Sequence, residues 1–379
     1  MLARSLTCLA ATATLAAADL PIEVHGFASF GWFRTWENAY LAPDSEEGST
    51  ELWEAAMSVV SRPADRLRLG VQIFARDLGI YDNGVPRLDY AYADYRLADA
   101  AGIQAGRVRI PSGLHQEELD VDAARTQVFL PWSVYPIRVR DFFTAVDGAK
   151  VYGFAPLSAD WTGEYVVYAG VSTVDTQGGF ATSLERSGYV SVQTLEPERT
   201  VGGMLQVSSD SLGITARGTI WHTTGLTVEG RTATATRSAE LSQYWWAVAS
   251  LAWERGPLAV TAEWSRIHFD GEGRVTPPGS TFPAQQEADG AYLAVNWQVS
   301  SWLEAYGAIE AARSQIADER LGETRALVAA VAVRPLHNWS LKAEWREMDG
   351  PIGVVSTLDN PDGVDERWRM LALKTTVDF

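Results

Sequence analysis

Residues 67–73 read LRLGVQI, and in this stretch the aliphatic residues take every second position. Successive side chains of a β-strand point to opposite faces, so this spacing predicts a strand with one apolar face and one polar or small face. The same alternation recurs at 291–299, 303–311 and 341–346. The repetition predicts an all-β protein built from many strands of about ten residues.

The alternation alone leaves open what covers the apolar faces. A soluble sandwich buries them against a second sheet, whereas a membrane barrel turns them to lipid and turns the polar faces to an aqueous lumen. The number of strands helps to decide, because bacterial outer-membrane barrels have an even number. We expect sixteen strands, at 22–36, 49–61, 64–76, 86–97, 101–109, 146–154, 158–171, 198–208, 213–223, 240–253, 257–269, 287–299, 301–313, 325–334, 337–348 and 367–379.

The links between the predicted strands alternate between short and long. The short links are rich in turn residues, as in Arg62-Pro63, Arg255-Gly256 and Pro335-Leu336. The long links are polar and lie at 37–48, 77–85, 110–145, 172–197, 224–239, 270–286, 314–324 and 349–366. Short turns at one end and long loops at the other are typical of outer-membrane barrels, and a sandwich has no reason to sort its loops in this way. The sequence therefore predicts a transmembrane antiparallel β-barrel over 19–379.

Tryptophans concentrate near the ends of the predicted strands. Beside the short turns lie Trp161, Trp253, Trp297, Trp302 and Trp339. Nearer the long loops lie Trp32, Trp53, Trp221, Trp245, Trp264 and Trp345. Two aromatic girdles at the membrane interfaces would produce this distribution. Tryptophan is also common in strands of any kind, so the pattern supports the barrel without requiring it.

The last predicted strand alternates up to Phe379, and Val377 shares its face. This pattern resembles the C-terminal signature that outer-membrane proteins present to the barrel assembly machinery. We therefore expect Phe379 and Val377 to act as a membrane insertion signal.

Residues 1–18 read as a cleaved signal peptide. Arg4 precedes the short apolar run Leu6 to Leu15, and Ala16-Ala17-Ala18 fits the small-residue rule for cleavage. The only cysteine, Cys8, lies within this segment, so the mature chain offers no disulfide or thiol chemistry. The chain is expected to be exported.

The 379 residues carry a formal net charge of −17, which argues against nucleic acid as a partner. No apolar run after residue 18 is long enough for a transmembrane helix. The five histidines stand at no metal-ligand spacing, so we expect no metal site and no cofactor. His222 precedes two threonines, but no nucleophile motif surrounds them. We therefore expect that the protein is not an enzyme.

The longest link falls between the fifth and sixth predicted strands. Its residues and neighbours at 105–115, 120–122, 129–136 and 147–149 resemble an uncharacterised porin-like family of Gram-negative bacteria within the sixteen-stranded porin superfamily. The resemblance implies a third extracellular loop folded into the lumen, a homotrimer in outer-membrane lipid and lipopolysaccharide, and passive diffusion of small hydrophilic solutes or ions. A plugged barrel that acts as a surface receptor or adhesin, and an outer-membrane barrel hydrolase, remain as alternatives.

A porin of this kind selects solutes by pore width and by opposed charges at its narrow zone. The predicted acidic residues of loop 110–145 are Glu117, Glu118, Asp120 and Asp122, with Asp141 further along. The predicted basic residues beside the root of the loop are Arg66, Arg68, Arg96, Arg107 and Arg109, with Arg76. Arginine is costly on a lipid face, so we expect these side chains to point into the lumen. Two roles stay open for this set, a selectivity filter and a tether that holds the loop.

Overall fold

The structure is a computed structural model that describes residues 21–115, 122–135, 137–316, 319–350 and 355–379. The predicted signal peptide, 1–18, lies outside these residues. In the part of the chain that the structure describes, no helix is long and apolar enough to cross a membrane.

The described chain is dominated by antiparallel strands. In chain order they are β1 (Ile22–Trp36), β2 (Leu52–Ala64), β3 (Leu67–Leu78), β4 (Arg87–Ala98), β5 (Ala101–Arg109), β6 (Ala145–Pro156), β7 (Thr162–Val171), β8 (Ser191–Glu196), β9 (Arg199–Ser209), β10 (Ile214–Arg231), β11 (Thr236–Arg255), β12 (Leu258–Thr276), β13 (Ser280–Pro283), β14 (Gln286–Ser300), β15 (Leu303–Ile316), β16 (Glu319–Leu336), β17 (Trp339–Asp349) and β18 (Arg367–Asp378). Two short helices, α1 (Arg140–Phe143) and α2 (Gly179–Arg186), follow β5 and β7.

The strands form one closed sheet. Neighbours in the chain pair with each other, and β1 pairs with β18 from Phe27 opposite Asp378 to Trp36 opposite Arg369. Strands β8 and β9 both pair with β10 and are two parts of one barrel strand, while β13 forms a hairpin with the end of β12. The predicted sixteen-stranded antiparallel barrel is confirmed.

The two faces of the barrel wall differ in chemistry and in exposure. On β3, Leu69, Val71 and Ile73 are 41%, 38% and 47% exposed, whereas Phe74 and Arg76 on the other face are each 5% exposed. A second sheet would have covered the aliphatic face in a sandwich. Because the aliphatic face is the outer surface here, the wall has the polarity of a barrel in lipid.

Most of the predicted girdle tryptophans face outward. Trp297 and Trp302 near the short turns are 49% and 54% exposed, and Trp264 and Trp345 nearer the other end are 44% and 38% exposed. The prediction is wrong for Trp221, which is 1% exposed and lies inside the barrel. Its ring packs against aromatic residues of the long loop, as described below.

Strands β10, β11 and β12 contain 18, 20 and 19 residues, whereas β5 contains 9. Their pairing continues through residues predicted as the long loops 224–239 and 270–286, so that β10 and β11 are linked by 232–235 alone. Those two loop predictions are wrong. At these ends Leu226, Val228 and Leu241 stay buried on the inner face, whereas polar residues replace aliphatic ones on the outer face. The lipid-facing pattern therefore ends while the main-chain hydrogen bonds continue.

The wall contains a row of glycines next to the root of the long loop. Gly106, Gly148 and Gly170 pair side by side in β5, β6 and β7, and Gly106 has a φ of 122°. A Cβ atom on Gly148 would lie 2.1 Å from the carbonyl oxygen of Ala169 on the neighbouring strand. Side chains are therefore excluded from this row, which allows the three strands to approach and bend.

The bend is visible in a contact of Lys150 on β6. Its Nζ donates to the carbonyl oxygen of Arg109 at 3.3 Å, although the register partner of Arg109 is Ala145, five positions away from Lys150. Five residues of a straight strand span roughly 16 Å, which a lysine side chain cannot bridge. The ends of β5 and β6 therefore curl towards the barrel interior, and this curvature positions the long loop.

Candidate functional site

The link between β5 and β6, residues 110–144, crosses to the opposite side of the barrel. The backbone N–H of Gly113 donates to Thr219 Oγ1 on β10 at 3.2 Å, and that of Leu114 donates to Glu263 Oε1 on β12 at 2.8 Å. Thr219 and Glu263 are buried and lie on the inward faces of their strands. The long loop thus contacts the inner surface of the wall far from its own root, through three groups of contacts with strands β12 to β18, called here the far wall.

The first group surrounds Asp122. Its carboxylate lies 3.0 Å from Lys342 Nζ on β17 and 3.1 Å from Lys374 Nζ on β18, and it also pairs with Arg125 at 3.1 Å. Burial alone would raise the pKa of the Asp122 carboxyl, but these three cations outweigh it and hold the pKa well below its usual range. Lys374 also pairs with Glu54 on β2 at 2.6 Å. Asp122 is fully buried, so this cluster fixes the loop and is closed to solutes.

The second group surrounds Arg346 on β17. Its guanidinium lies 2.8 Å from Glu310 Oε1 on β15, binds Glu344 on its own strand and donates to the carbonyl oxygen of Phe129 in the loop at 3.1 Å. The guanidinium also lies over the ring of Trp132, 4.2 Å from its centroid. All of these partners restrain one stretch of the loop.

Backbone N–H groups of the same stretch complete the second group. Those of Val128 and Phe129 donate to Glu344 Oε2 at 2.7 Å and 3.1 Å, and that of Ser133 donates to Glu310 Oε2 at 3.2 Å. Hydrogen bonds to carboxylates are stronger than those between neutral groups. The loop backbone and the wall therefore satisfy each other's buried polar groups.

The third group centres on Glu263 of β12. Its carboxylate accepts hydrogen bonds from the hydroxyls of Tyr135, Tyr292 and Ser250, in addition to the N–H of Leu114. Burial and the neighbouring carboxylate raise the pKa of Tyr135 well above its usual value, so this hydroxyl remains a donor. Four donors compensate one buried carboxylate, which stabilises the crossing point of the loop.

Aromatic residues pack the end of the loop against β10 and β11. Phe142 and Phe143 of α1 lie edge-on to Trp221, with centroids 5.0 Å and 5.1 Å apart, and Phe143 lies 5.0 Å from Trp246. Phe180 of α2 packs on Phe142 at 4.6 Å. These five rings form an apolar cluster inside the barrel, on the side of the long loops.

Asp89 on β4 holds the loop on the side of the barrel where the loop begins. Its carboxylate lies 2.6 Å from Arg109 Nη2 on β5 and 2.7 Å from Arg140 Nη2 in the loop, and Gln72 Nε2 donates to it at 3.0 Å. Strands β4 and β5 no longer pair at this level, since their pairing ends at Ala91. The two arginines thus bridge an opening in the wall.

The structure places the predicted arginines in four different settings. Arg107 is on the face opposite the buried, inward-facing Val108 and pairs with Asp147 at 3.4 Å, so the expectation that it points into the lumen is wrong. The register of β5 decides this, because a shift of one residue changes the face. Arg66 lies exposed in the turn between β2 and β3, away from the long loop. Arg76 is buried and bonds to the loop carbonyl of Ile137 at 3.1 Å.

Arg68 and Arg96 lie on inward faces and are exposed. Asp122 faces the far wall, and Glu117, Glu118 and Asp120 lie outside the described residues. In the described part of the chain, the predicted arginines and Asp122 therefore do not form one ladder. The structure separates the tethers Arg109 and Asp122, of which Asp122 is fully buried, from the exposed pair Arg68 and Arg96.

Sequence reasoning missed the far-wall partners Glu263, Glu310, Glu344, Lys342, Arg346 and Lys374. A signal for them was present, because Lys342, Glu344 and Arg346 occupy the polar positions of an alternating strand. Nothing in the alternation showed that the long loop would bury them. In the described parts of the chain, no group of three or more His, Cys, Asp or Glu residues could hold a metal ion.

Asp141 of α1 connects the loop to α2. Its Oδ1 accepts the backbone N–H of Phe180 at 3.2 Å. Burial raises the pKa of the Asp141 carboxyl to about 6, which the Phe180 N–H partly offsets and the nearby Asp82 reinforces.

No protein family model and no curated protein matches the chain. Its structure is similar to OmpT of Vibrio cholerae, with a TM-score of 0.58 and 9% identity over 96% of this chain and 99% of that chain. Salmonella typhi OmpF, solved in complex with daunomycin, gives a TM-score of 0.57 and 11% identity over 94% of this chain and 97% of that chain. The anion-selective porin from Comamonas acidovorans gives a TM-score of 0.55 and 8% identity over 95% of this chain and 100% of that chain.

The chain has a porin-type barrel fold. The resemblance inferred from the loop residues is confirmed at this level, with the full length of each similar barrel matched. At identities of 8–11% the similarity concerns the fold. A shared fold does not by itself determine a function.

Proposed function

We propose that this protein is an outer-membrane porin that lets small hydrophilic solutes or ions diffuse passively through a water-filled barrel narrowed by the long loop. The proposal includes export through the cleaved signal peptide 1–18, assembly as a homotrimer, and a location in lipid and lipopolysaccharide. It involves no chemical step and no cofactor. The Comamonas protein, which has a similar fold, is a porin, and this supports the proposal.

The observation that carries the proposal is the polarity of the wall. Aliphatic side chains cover the outside, while Arg68 and Arg96 face inward with exposed side chains. An arginine on the inner face of a lipid-embedded wall needs water around its charge, because burial of an unpaired charge is costly. A barrel of sixteen strands is wide enough to hold that water.

The contacts of the long loop support a fixed narrowing. Three groups of buried hydrogen bonds hold it to the far wall, and Asp89 holds it on its own side. A loop restrained at both sides of a barrel reduces its open cross-section without closing it through motion. Pore width then sets the size limit for solutes.

A second candidate is a plugged barrel with a role in surface recognition. The cluster of Phe142, Phe143, Phe180, Trp221 and Trp246 favours it, because all five side chains are at most 8% exposed. Such an apolar cluster excludes water from the part of the lumen that it occupies. It occupies the side of β10 and β11, whereas the exposed arginines lie on β3 and β4.

Single-channel recording distinguishes the two candidates. We expect refolded protein in a planar lipid bilayer to give stepwise increases in conductance, and vesicles containing it to take up small sugars and exclude large ones. A correctly folded barrel that yields neither steps nor uptake would contradict the porin proposal and favour the plugged barrel. Tryptophan fluorescence and a shift in electrophoretic mobility on heating provide the check on folding.

A further inference from the structure

We infer that the lumen beneath the long loop prefers small anions, such as inorganic phosphate or short carboxylates, through a basic surface formed by Arg68, Arg96, Lys150 and Arg217. The inference rests on the proposed function and names the class of solute. It keeps Arg68 and Arg96 from the residues predicted for selectivity and adds Lys150 and Arg217, so that the surface lies on the inner faces of β3, β4, β6 and β10.

Arg68 and Arg96 form the most accessible part of the basic surface. Arg68 pairs in register with Asp94 on β4, and Arg96 lies two positions further along that strand. Residues in this diagonal relation have Cα atoms about 7–8 Å apart, so their charges act together. Both interact electrostatically with the hydroxyl of Tyr152, which faces inward on β6. Both are exposed to the lumen.

Arg217 on β10 and Lys150 on β6 connect this pair to the underside of the loop. Arg217 donates to the carbonyl oxygen of Gly113 at 2.8 Å and to Gln206 on β9 at 2.7 Å. Lys150 donates to the carbonyl oxygen of Arg109. A cavity of about 490 Å³ is lined by Lys150 together with the carboxylate of Glu164. The cations therefore follow the wall from the loop root towards the short turns.

Two carboxylates lie on the same inner surface, and neutral donors hold both. Asp94 accepts hydrogen bonds from Tyr152 at 2.8 Å and Gln104 at 3.2 Å, and Glu164 accepts one from Gln206 at 3.1 Å. Below the loop, the described inward-facing residues of β3 to β10 thus carry four cations against two carboxylates. The surface keeps a net positive charge of two.

The preference for anions follows from position more than from total charge. The whole chain has a formal charge of −17, which alone would predict a preference for cations. Charges on exposed outer loops are screened beyond about 8 Å at physiological ionic strength, whereas charges lining a narrow lumen act on every ion that passes. Local and total charge therefore predict opposite signs, and measurement of the sign decides between them.

Reversal potentials in a KCl gradient test the inference. We expect wild-type channels to show an anion-to-cation permeability ratio above one. The double variant Arg68→Gln and Arg96→Gln should lower this ratio at least about two-fold, because it removes the two exposed cations. The matched control Arg255→Gln removes an exposed arginine from the β11–β12 turn and should leave the ratio unchanged. The preference should also weaken from about 0.1 M to about 1 M KCl, as the Debye length falls from about 10 Å to 3 Å.

The possible outcomes separate this inference from the proposed function. Channels that prefer cations, or a double variant with the wild-type ratio, would overturn the anion surface and leave the porin proposal intact. A folded protein without conductance steps would overturn both. A ratio that falls equally in the control and in the double variant would show that total charge, and not the basic surface, sets the preference.

Discussion

The far wall, β12 to β18, and the near wall, β3 to β6, both carry charged residues on their inner faces, but they use them differently. On the far wall, Arg346, Lys342 and Lys374 are 1%, 3% and 4% exposed, and each bonds to a carboxylate or to the loop backbone. On the near wall, Arg68 and Arg96 are exposed. The difference arises because the long loop leaves the near wall at its root and lies against the far wall.

The comparison shows how one type of position serves two purposes in a barrel. An inward-facing charge becomes a structural anchor where a loop covers it, and it acts on solutes where water covers it. Substitutions on the two walls should therefore separate stability from selectivity. Substitutions of Arg346, Lys342 or Lys374 on the far wall should lower stability, whereas substitutions of the exposed Arg68 and Arg96 on the near wall should alter ion preference.

The largest effect is expected from Arg346→Ala on the far wall. The change leaves the buried carboxylates of Glu310 and Glu344 without their cation, which costs about 3–5 kcal/mol. Urea unfolding in detergent micelles measures the loss. Arg325→Ala on the neighbouring strand removes a side chain that is 70% exposed and serves as the control, without measurable change expected. Equal stability of the two variants would contradict the role of Arg346 as an anchor.

A smaller effect is expected from Tyr135→Phe in the loop. The variant removes one of four donors to Glu263 and should lower stability by about 1.5–3 kcal/mol, the range for a hydrogen bond to a charged group. The crossing part of the loop should then become more sensitive to trypsin, which cuts after Arg125 and Arg138. Tyr95→Phe on the outward face is the control. Unchanged cleavage in the Tyr135 variant would mean that the other groups of contacts suffice to hold the loop.

The smallest effect is expected from pH at Asp141. Its pKa is raised to about 6 in the folded protein, so the protonated form is favoured there, and the contribution to stability is lost as pH rises through 6. The free energy of unfolding should therefore be about 1 kcal/mol lower at about pH 7.5 than at about pH 5. Hydrogen exchange of α2 should therefore be faster at the higher pH after correction for the intrinsic rate.

Asp141→Asn should remove this pH dependence, because the amide does not titrate. Asp175→Asn, at a neighbouring carboxylate whose side chain is 43% exposed, should retain it. If both variants kept the wild-type pH dependence, another group would control the contact between α1 and α2.

The barrel could be predicted from sequence because lipid imposes a strict pattern. Inside the membrane every second residue faces hydrocarbon, so strands such as β3 and β17 are visible in the order of their residues. The prediction failed at the outer ends of β10, β11 and β12, where polar residues such as Glu229 and Glu240 take the outer face and the lipid-facing pattern ends. Strand length outside the membrane depends on main-chain pairing, which the residue pattern does not record.

The candidate site could be predicted only in part. The position of the long loop and the importance of nearby arginines were visible, but which arginine meets which acid depends on contacts between residues more than two hundred positions apart, such as Arg346 and Phe129. The face of Arg107 depended on the register near Gly106, where the strand bends. Tertiary contacts and local bends are not encoded in the alternation of a single strand.

The seam between β1 and β18 has a consequence for how the barrel comes to be formed. These strands lie near opposite ends of the described chain, yet they pair over ten consecutive positions in the same antiparallel manner as any other neighbours. The seam is therefore the contact of highest sequence separation, and loop-closure entropy makes it slow to form. Until it does, β1 presents an unpaired edge. A circular permutant with new termini in the turn at 210–213 would move this late step elsewhere and reveal whether closure limits the folding rate.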